Sequence, residues 1–148
     1  MARASLLALL LLAACRVHPL EDGTFRFAET GTPLRDDCGL AGQGVLGTGA
    51  LVSTGHLVHL ALSTPPGTLE GTYRYNLEQL VLDGTVASYQ TTVRGVACLV
   101  ETATLPAETS TVDATHFTGT WQLTYDSRRP ETCSCQYWFT ALATWTGP

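Results

Sequence analysis

The chain has 148 residues and a formal net charge of −5 at pH 7, from eight Lys plus Arg and 13 Asp plus Glu. It contains no Lys, and its Arg residues form no large basic cluster, which argues against a nucleic acid as partner. The hydrophobic content of 45% is sufficient for one packed domain.

The chain begins with the pattern of an export signal. Arg3 supplies a positive charge, and residues 5–14 are almost wholly apolar. A membrane-spanning helix needs about 20 apolar residues, and this run is about half that length. The segment therefore predicts a cleaved signal rather than a membrane-spanning helix.

The apolar run ends in Leu12-Ala13-Ala14-Cys15, which resembles the lipobox of bacterial lipoproteins at every position. The resemblance covers residues 1–15 only. It implies cleavage after Ala14, a thioether-linked diacylglycerol on Cys15 and an acylated new N-terminus, with chains such as palmitate. Two or three acyl chains give stable anchoring where one does not. Arg16 stands where lipoproteins kept at the inner membrane often have Asp, which favours the outer membrane in an organism with two.

The lipobox divides the chain into three parts. Residues 1–14 are the expected signal peptide, and residues 15–23 are the lipidated N-terminus and a short tether. Residues 24–148 are expected to form a single β domain. The tether is too short to act as a stalk, so the domain is expected to sit close to the membrane surface.

The remainder of the chain alternates apolar and polar residues in short segments, which is typical of half-buried strands. Asp83-Gly84 is either a tight turn between two strands or a bulge in one long bent strand, and we favour the bulge. After Cys15 no run of ten or more residues has a helical stripe. About eight strands are predicted, at residues 24–28, 50–53, 56–63, 72–75, 79–89, 95–105, 116–125 and 133–146.

This spacing predicts an all-β fold. The meandering strand order favours a small antiparallel barrel, in which closure hides the strand edges, and a β-sandwich is the alternative. Bulky residues on the predicted inner face (Phe117, Trp121, Phe139 and Trp145) indicate a filled barrel. Trp138 falls on the opposite, outer face and is a candidate contact for a partner.

Four cysteines remain once Cys15 carries lipid: Cys38, Cys98, Cys133 and Cys135. An even number in an exported domain predicts two disulfides. Cys133 and Cys135 are two residues apart and share one face of a strand, so a bond between them is disfavoured. One is expected to bond Cys38 and the other Cys98, and both pairings remain open. A metal or redox site is disfavoured because zinc needs about four ligands and no His is near in sequence.

Three further patterns are predicted to be structural. The Gly-rich stretch 39–49 has no helical pattern after it, so bends are favoured over a phosphate loop. His56 and His59 are three residues apart, on opposite faces of a strand, and cannot bind one ion. Gly119-x-Trp121 resembles the Gly-x-Trp of lipocalins, but that motif is on the family's first strand. Here Gly119 is expected to leave room for a Trp ring.

The sequence therefore predicts a lipid-anchored cell-envelope protein rather than an enzyme. It has no nucleophile elbow, no His-Glu-x-x-His and no convincing carboxylate pair, so no catalytic residue, metal or cofactor is expected. The expected partners are the membrane, through lipid on Cys15, and an unidentified envelope protein or small ligand. The favoured role is a structural or partner-binding module, and the alternative is a barrel that binds a small apolar ligand.

Overall fold

The computed structural model describes residues 19–148, so the lipobox and Cys15 lie outside the described residues. The all-β prediction is confirmed, with one short helix, α1 (Pro130–Cys133), before the last strand. The strands are β1 (Gly23–Asp36), β2 (Thr48–Thr54), β3 (Leu57–Leu62), β4 (Gly67–Arg74), β5 (Gln79–Asp83), β6 (Thr85–Val93), β7 (Val96–Thr104), β8 (Ala107–Asp113), β9 (His116–Asp126) and β10 (Cys135–Gly147).

Eight of the strands pair in an antiparallel ring, which confirms the predicted barrel. The order around the ring is β1, β2, β3, β4, β5, β8, β9 and β10, and β10 pairs back onto β1. Neighbours in the ring are also neighbours in the chain, with two exceptions. Strands β6 and β7 come between β5 and β8, and the closing pair joins the last strand, β10, to the first, β1. Ring closure gives most of these strands partners on both sides, whereas β1 after Arg26 pairs with a strand on its β10 side alone.

Strands β5 to β8 form one long hairpin that bends at Gly84. The pairing register is the same before and after the bend, and the Leu105 N–H donates to the Gly84 carbonyl at 3.1 Å. The favoured bulge is therefore wrong, because no extra residue is inserted. The predicted strand over 79–89 keeps one register but is divided into β5 and β6 at Gly84. Strands β5 and β8 belong to the ring. Strands β6 and β7 extend beyond it as an arm, and β7 pairs with the last residues of β9.

Side chains fill the inside of the ring. Phe117, Trp121 and Phe139 are buried there as predicted, and Phe27 meets Trp121 edge-on with ring centroids 5.4 Å apart. Trp145 is only partly buried, and its ring N–H donates to the Asp22 carbonyl at 3.2 Å. Other fully buried large side chains come from strands all around the ring: Phe25, Leu51, Leu60, Leu69, Leu80, Leu82, Leu123 and Tyr137.

The two disulfides are Cys38–Cys135 and Cys98–Cys133, so each member of the close pair bonds a distant Cys, as predicted. The expected strand over 133–146 is wrong at its start, because Cys133 ends α1 and β10 begins at Cys135. Pro130 has a φ suited to the first turn of a helix, and this turn places Cys133 beside β7. We call the end of the barrel that carries α1 and both disulfides the disulfide end.

Arg94 ties the loops of the disulfide end together. Its guanidinium donates to the carbonyls of Asp37 and Thr132, both at 2.7 Å. Its own N–H donates to the Cys38 carbonyl at 2.8 Å. The turn at the tip of the arm is therefore joined to the loop after β1 and to α1.

The opposite end carries the start of β1, and we call it the tether end. Leu20 is buried there, and the Glu21 N–H donates to the Ala114 carbonyl at 2.8 Å. The Asp22 carboxylate accepts hydrogen bonds from the N–H and hydroxyl of Ser53, at 2.9 and 2.8 Å. Of the residues expected in the tether over 15–23, those from Leu20 onward pack on the barrel.

Strand β1 is longer than the segment 24–28 that the sequence predicts. It continues to Asp36 through Gly31 and Pro33, which resemble a loop in sequence. Strand β10 pairs with both halves, with a register shift between Thr30 and Arg35. Gly31 lies inside this shift with a φ of 70°, a conformation that glycine adopts without strain. Pairing with β10 therefore overrides the local turn signal.

Candidate functional site

The cysteines and histidines that the sequence analysis considered for chemistry do not lie together in the fold. Cys15 lies outside the described residues, and the four other cysteines form the disulfides described above. His56 is in the turn between β2 and β3, and His59 is on the outer face of β3, with its Nδ1 3.6 Å from Glu70. Within residues 19–148 no group of three His, Cys, Asp or Glu side chains could hold a metal ion.

His116 is the histidine with the closest acid and hydroxyl neighbours. Its Nδ1 lies 2.8 Å from Asp113 Oδ1 and 2.9 Å from the Thr115 hydroxyl. A catalytic triad needs the acid and the nucleophile on different ring nitrogens, whereas both contact Nδ1 here. Asp113 also accepts the Thr115 N–H at 2.8 Å, so the group caps the turn between β8 and β9. The hydrogen bond to His116 lowers the pKa of Asp113 to about 2.

The Gly-rich loop is held by carboxylates of the chain itself, a feature that the sequence did not reveal. Glu29 accepts the N–H groups of Val45 and Gly42, at 3.0 and 3.3 Å. Asp36 accepts two further N–H groups, from Leu40 and Ala41, at 2.9 and 3.0 Å. These N–H groups are the ones that a phosphate loop would offer to an anion. Their engagement agrees with the prediction that the loop is structural.

Tyr137 completes the attachment of this loop from inside the barrel. Its hydroxyl donates to Glu29 Oε2 at 2.6 Å. Burial, followed by this hydrogen bond and the Glu29 charge, raises the Tyr137 pKa well above its usual range. The hydroxyl therefore stays protonated and continues to donate.

Gly119 is required for a reason different from the one expected. A Cβ at this position would collide with the Glu108 carbonyl oxygen and the Thr109 Cα of β8. The expected Trp ring over Gly119 is wrong, because the neighbour is the backbone of the adjacent strand. Gly119 therefore permits close approach of β8 and β9.

The two strands that approach closely at Gly119, β8 and β9, border a groove of about 610 Å³ on the outer face of the ring. We call it the outer groove. Its floor is formed by strands β5, β8 and β9, and Thr140 of β10 reaches its edge. The lining includes two carboxylates and no Lys, Arg or His. Its principal polar residues are Gln79, Asp83, Glu108, Thr118, Thr120 and Gln122.

Trp138 lies on the outer face of β10, as predicted, directly opposite Gln122 of the outer groove. The ring is half-buried, and the Arg35 guanidinium lies 5.5 Å from its centroid. Arg35 is itself held 2.6 Å from the Asp37 carboxylate. A polar groove with an aromatic ring on the adjacent strand is suited to binding a partner by hydrogen bonds and apolar contact.

Comparison with known proteins gives no match to a family model, a curated protein or a solved structure. From Pro19 onward, no helix is both long and apolar enough to cross a membrane.

Proposed function

We propose that this protein is a lipid-anchored module of the bacterial cell envelope that binds a partner on the outer face of its barrel and does not catalyse a reaction. The lipobox resemblance at residues 12–15 supports the anchor. Leu20 is buried only five residues after Cys15, which supports a domain held close to the membrane surface.

The filled ring is the observation that favours an outer binding face. A small barrel either holds one small ligand or is occupied by its own side chains. Here the fully buried rings of Phe117, Trp121 and Phe139 occupy the interior. This packing favours a partner on the outside over an apolar ligand inside, and the outer groove offers suitable polar groups.

Replacing Cys15 by Ser is expected to abolish lipid attachment, because Ser has no thiol to form the thioether. After expression in a bacterium with its own signal, the parent chain should sediment with membranes and carry diacylglycerol on Cys15 by mass spectrometry. The C15S chain should lose at least about 90% of its membrane association, since stable anchoring needs acyl chains. A parent chain cut after Ala14 with a free thiol contradicts the anchor.

A photo-crosslinking residue at Thr120 is expected to trap the partner in living cells. Thr120 lies in the outer groove, and the matched control is Ala61, which is exposed on the outer face of β3 across the ring. Adding Glu108→Arg should reduce the adduct at Thr120 by about tenfold, because a reversed charge inside an interface disrupts complementarity. Equal adducts at Thr120 and Ala61, or none at Thr120, contradict the assignment of the groove.

A further inference from the structure

Three neighbouring turns at the tether end each expose a large apolar side chain. Leu57 is 48% exposed after the β2–β3 turn, Leu77 is 54% exposed in the β4–β5 turn, and Val112 is 62% exposed before the β8–β9 turn. Val112 lies at a register shift between Thr111 and Asp113. We call these three side chains the apolar rim.

Hydrogen bonds between the turns hold the apolar rim together. The Tyr75 hydroxyl donates to the Gly55 carbonyl at 3.1 Å, which joins the second turn to the first. The Thr111 N–H donates to the Glu78 carbonyl at 2.9 Å, which joins the third turn to the second. The three apolar side chains therefore belong to one connected edge of the barrel.

The chain leaves the barrel toward Cys15 at this same end. Leu20 is buried there, and the five residue steps from Cys15 to Leu20 span at most about 18 Å when fully extended. Strand β10, with 13 residues, places the disulfide end farther away, because each residue adds about 3.3 Å along a strand. A lipid on Cys15 therefore brings the apolar rim, and not the disulfide end, to the bilayer.

We infer that the apolar rim lies against the lipid surface when Cys15 is lipidated, which fixes the orientation of the barrel on the membrane. This inference rests on the proposed anchor. Exposed apolar side chains that lie close together are typical of a membrane or protein contact. Leu34, Val96 and Leu99 are also exposed, toward the disulfide end, so the short tether is what selects the apolar rim and the membrane.

The charges of the tether end indicate which force maintains this contact. Glu21, Asp22, Glu78 and Asp113 are acidic there, and Arg74 is the basic residue beside the β4–β5 turn. An acidic edge is not attracted to anionic headgroups. Apolar contact and the acyl chains therefore hold the rim, and the unlipidated domain is expected to bind vesicles weakly.

Hydroxyl-radical labelling with mass spectrometry tests the inference. The full lipidated chain is placed in vesicles of phosphatidylethanolamine and phosphatidylglycerol and is compared with the mature C15S chain beside the same vesicles. Labelling of Leu57, Leu77 and Val112 should fall by roughly threefold or more, because lipid contact excludes water. Labelling of Leu34 and Leu99, which are 67% and 55% exposed toward the disulfide end, should not change.

A variant set shows whether the rim itself makes the contact. In the lipidated parent chain, the neighbouring His56 and Tyr75 should also be protected from hydroxyl-radical labelling. This protection should disappear in lipidated L57S/L77S/V112S and should remain in lipidated L34S/L99S. All five substitutions are at exposed positions, where folding is little affected. If lipid is present and the rim is labelled as strongly as Leu34, or if protection survives in the triple variant, the rim inference is overturned and the anchor stands. Absence of lipid on Cys15 overturns the anchor and, with it, the inference.

Discussion

Removal of the Cys38–Cys135 disulfide is expected to destabilise the domain by about 4–5 kcal/mol. A cross-link lowers the conformational entropy of the unfolded chain, and the reduction grows with the logarithm of the number of residues in the closed loop. The sequence separation is 97 residues for Cys38–Cys135 and 35 for Cys98–Cys133. By loop entropy alone, these separations correspond to about 4.7 and about 3.8 kcal/mol. The longer bridge should therefore contribute more to the free energy of unfolding.

The measurement is urea unfolding of C38A/C135A and C98A/C133A, followed by circular dichroism. Alanine is preferred to serine because all four positions are buried, where an unpaired hydroxyl would add its own penalty. C98A/C133A is the matched control, since it removes a bridge at the same end with a shorter loop. If the free energy of unfolding falls equally in both variants, or falls further in C98A/C133A, loop length is not the deciding factor.

Substitution of Trp121 by Ala is expected to lower the free energy of unfolding by about 3–5 kcal/mol, the usual range for a deleted core aromatic side chain. Trp121 has no exposed surface and meets the edge of Phe27 inside the ring. Its indole N–H has no hydrogen-bond partner among the described residues. An unpaired buried donor costs about 1–3 kcal/mol, so the native side chain carries a penalty that a smaller apolar ring would not.

Trp121→Phe should therefore cost less than about 2 kcal/mol, because loss of the unpaired N–H offsets part of the lost packing. Both variants are compared by urea unfolding with Trp138→Phe, a change on the half-buried outer face that should cost about 0.5 kcal/mol or less. If W121F is as unstable as W121A, the indole N–H is satisfied by a group such as a buried water, and the argument from an unpaired donor is wrong.

The parts of the fold that the sequence predicted are those with strict alternation. Strands β9 and β10 each place one face in the core and one outside, so the alternation of apolar and polar residues indicates which side chains are buried. The two disulfides followed from the cysteine count and from the spacing of Cys133 and Cys135. Which distant Cys each one reaches depends on which loops meet in three dimensions, and local spacing carries no information about that.

The parts that were missed depend on long-range contacts or on very short elements. The helix Pro130–Cys133 is one turn long, so it has no periodicity to detect. Glu29 and Tyr137 are 108 residues apart in the chain, and their hydrogen bond arises only when β1 and β10 close the ring. The outer groove needs β8 beside β9 at Gly119, and no single segment contains that information.

Because the hairpin of β5 to β8 bends at Gly84, the size of the ring does not depend on the length of the arm. Because β6 and β7 take no part in ring closure, strand number and stagger in the barrel do not depend on how far the arm extends. The tip of the arm is nevertheless fixed at the disulfide end, because Val93 is fully buried and Arg94 donates hydrogen bonds to the loop after β1 and to α1. The bond from Cys98 to Cys133 holds the arm on α1 close to this tip. A change in the length of the arm would therefore leave the strand pairing of the ring intact and would break the contacts that join the arm to the disulfide end.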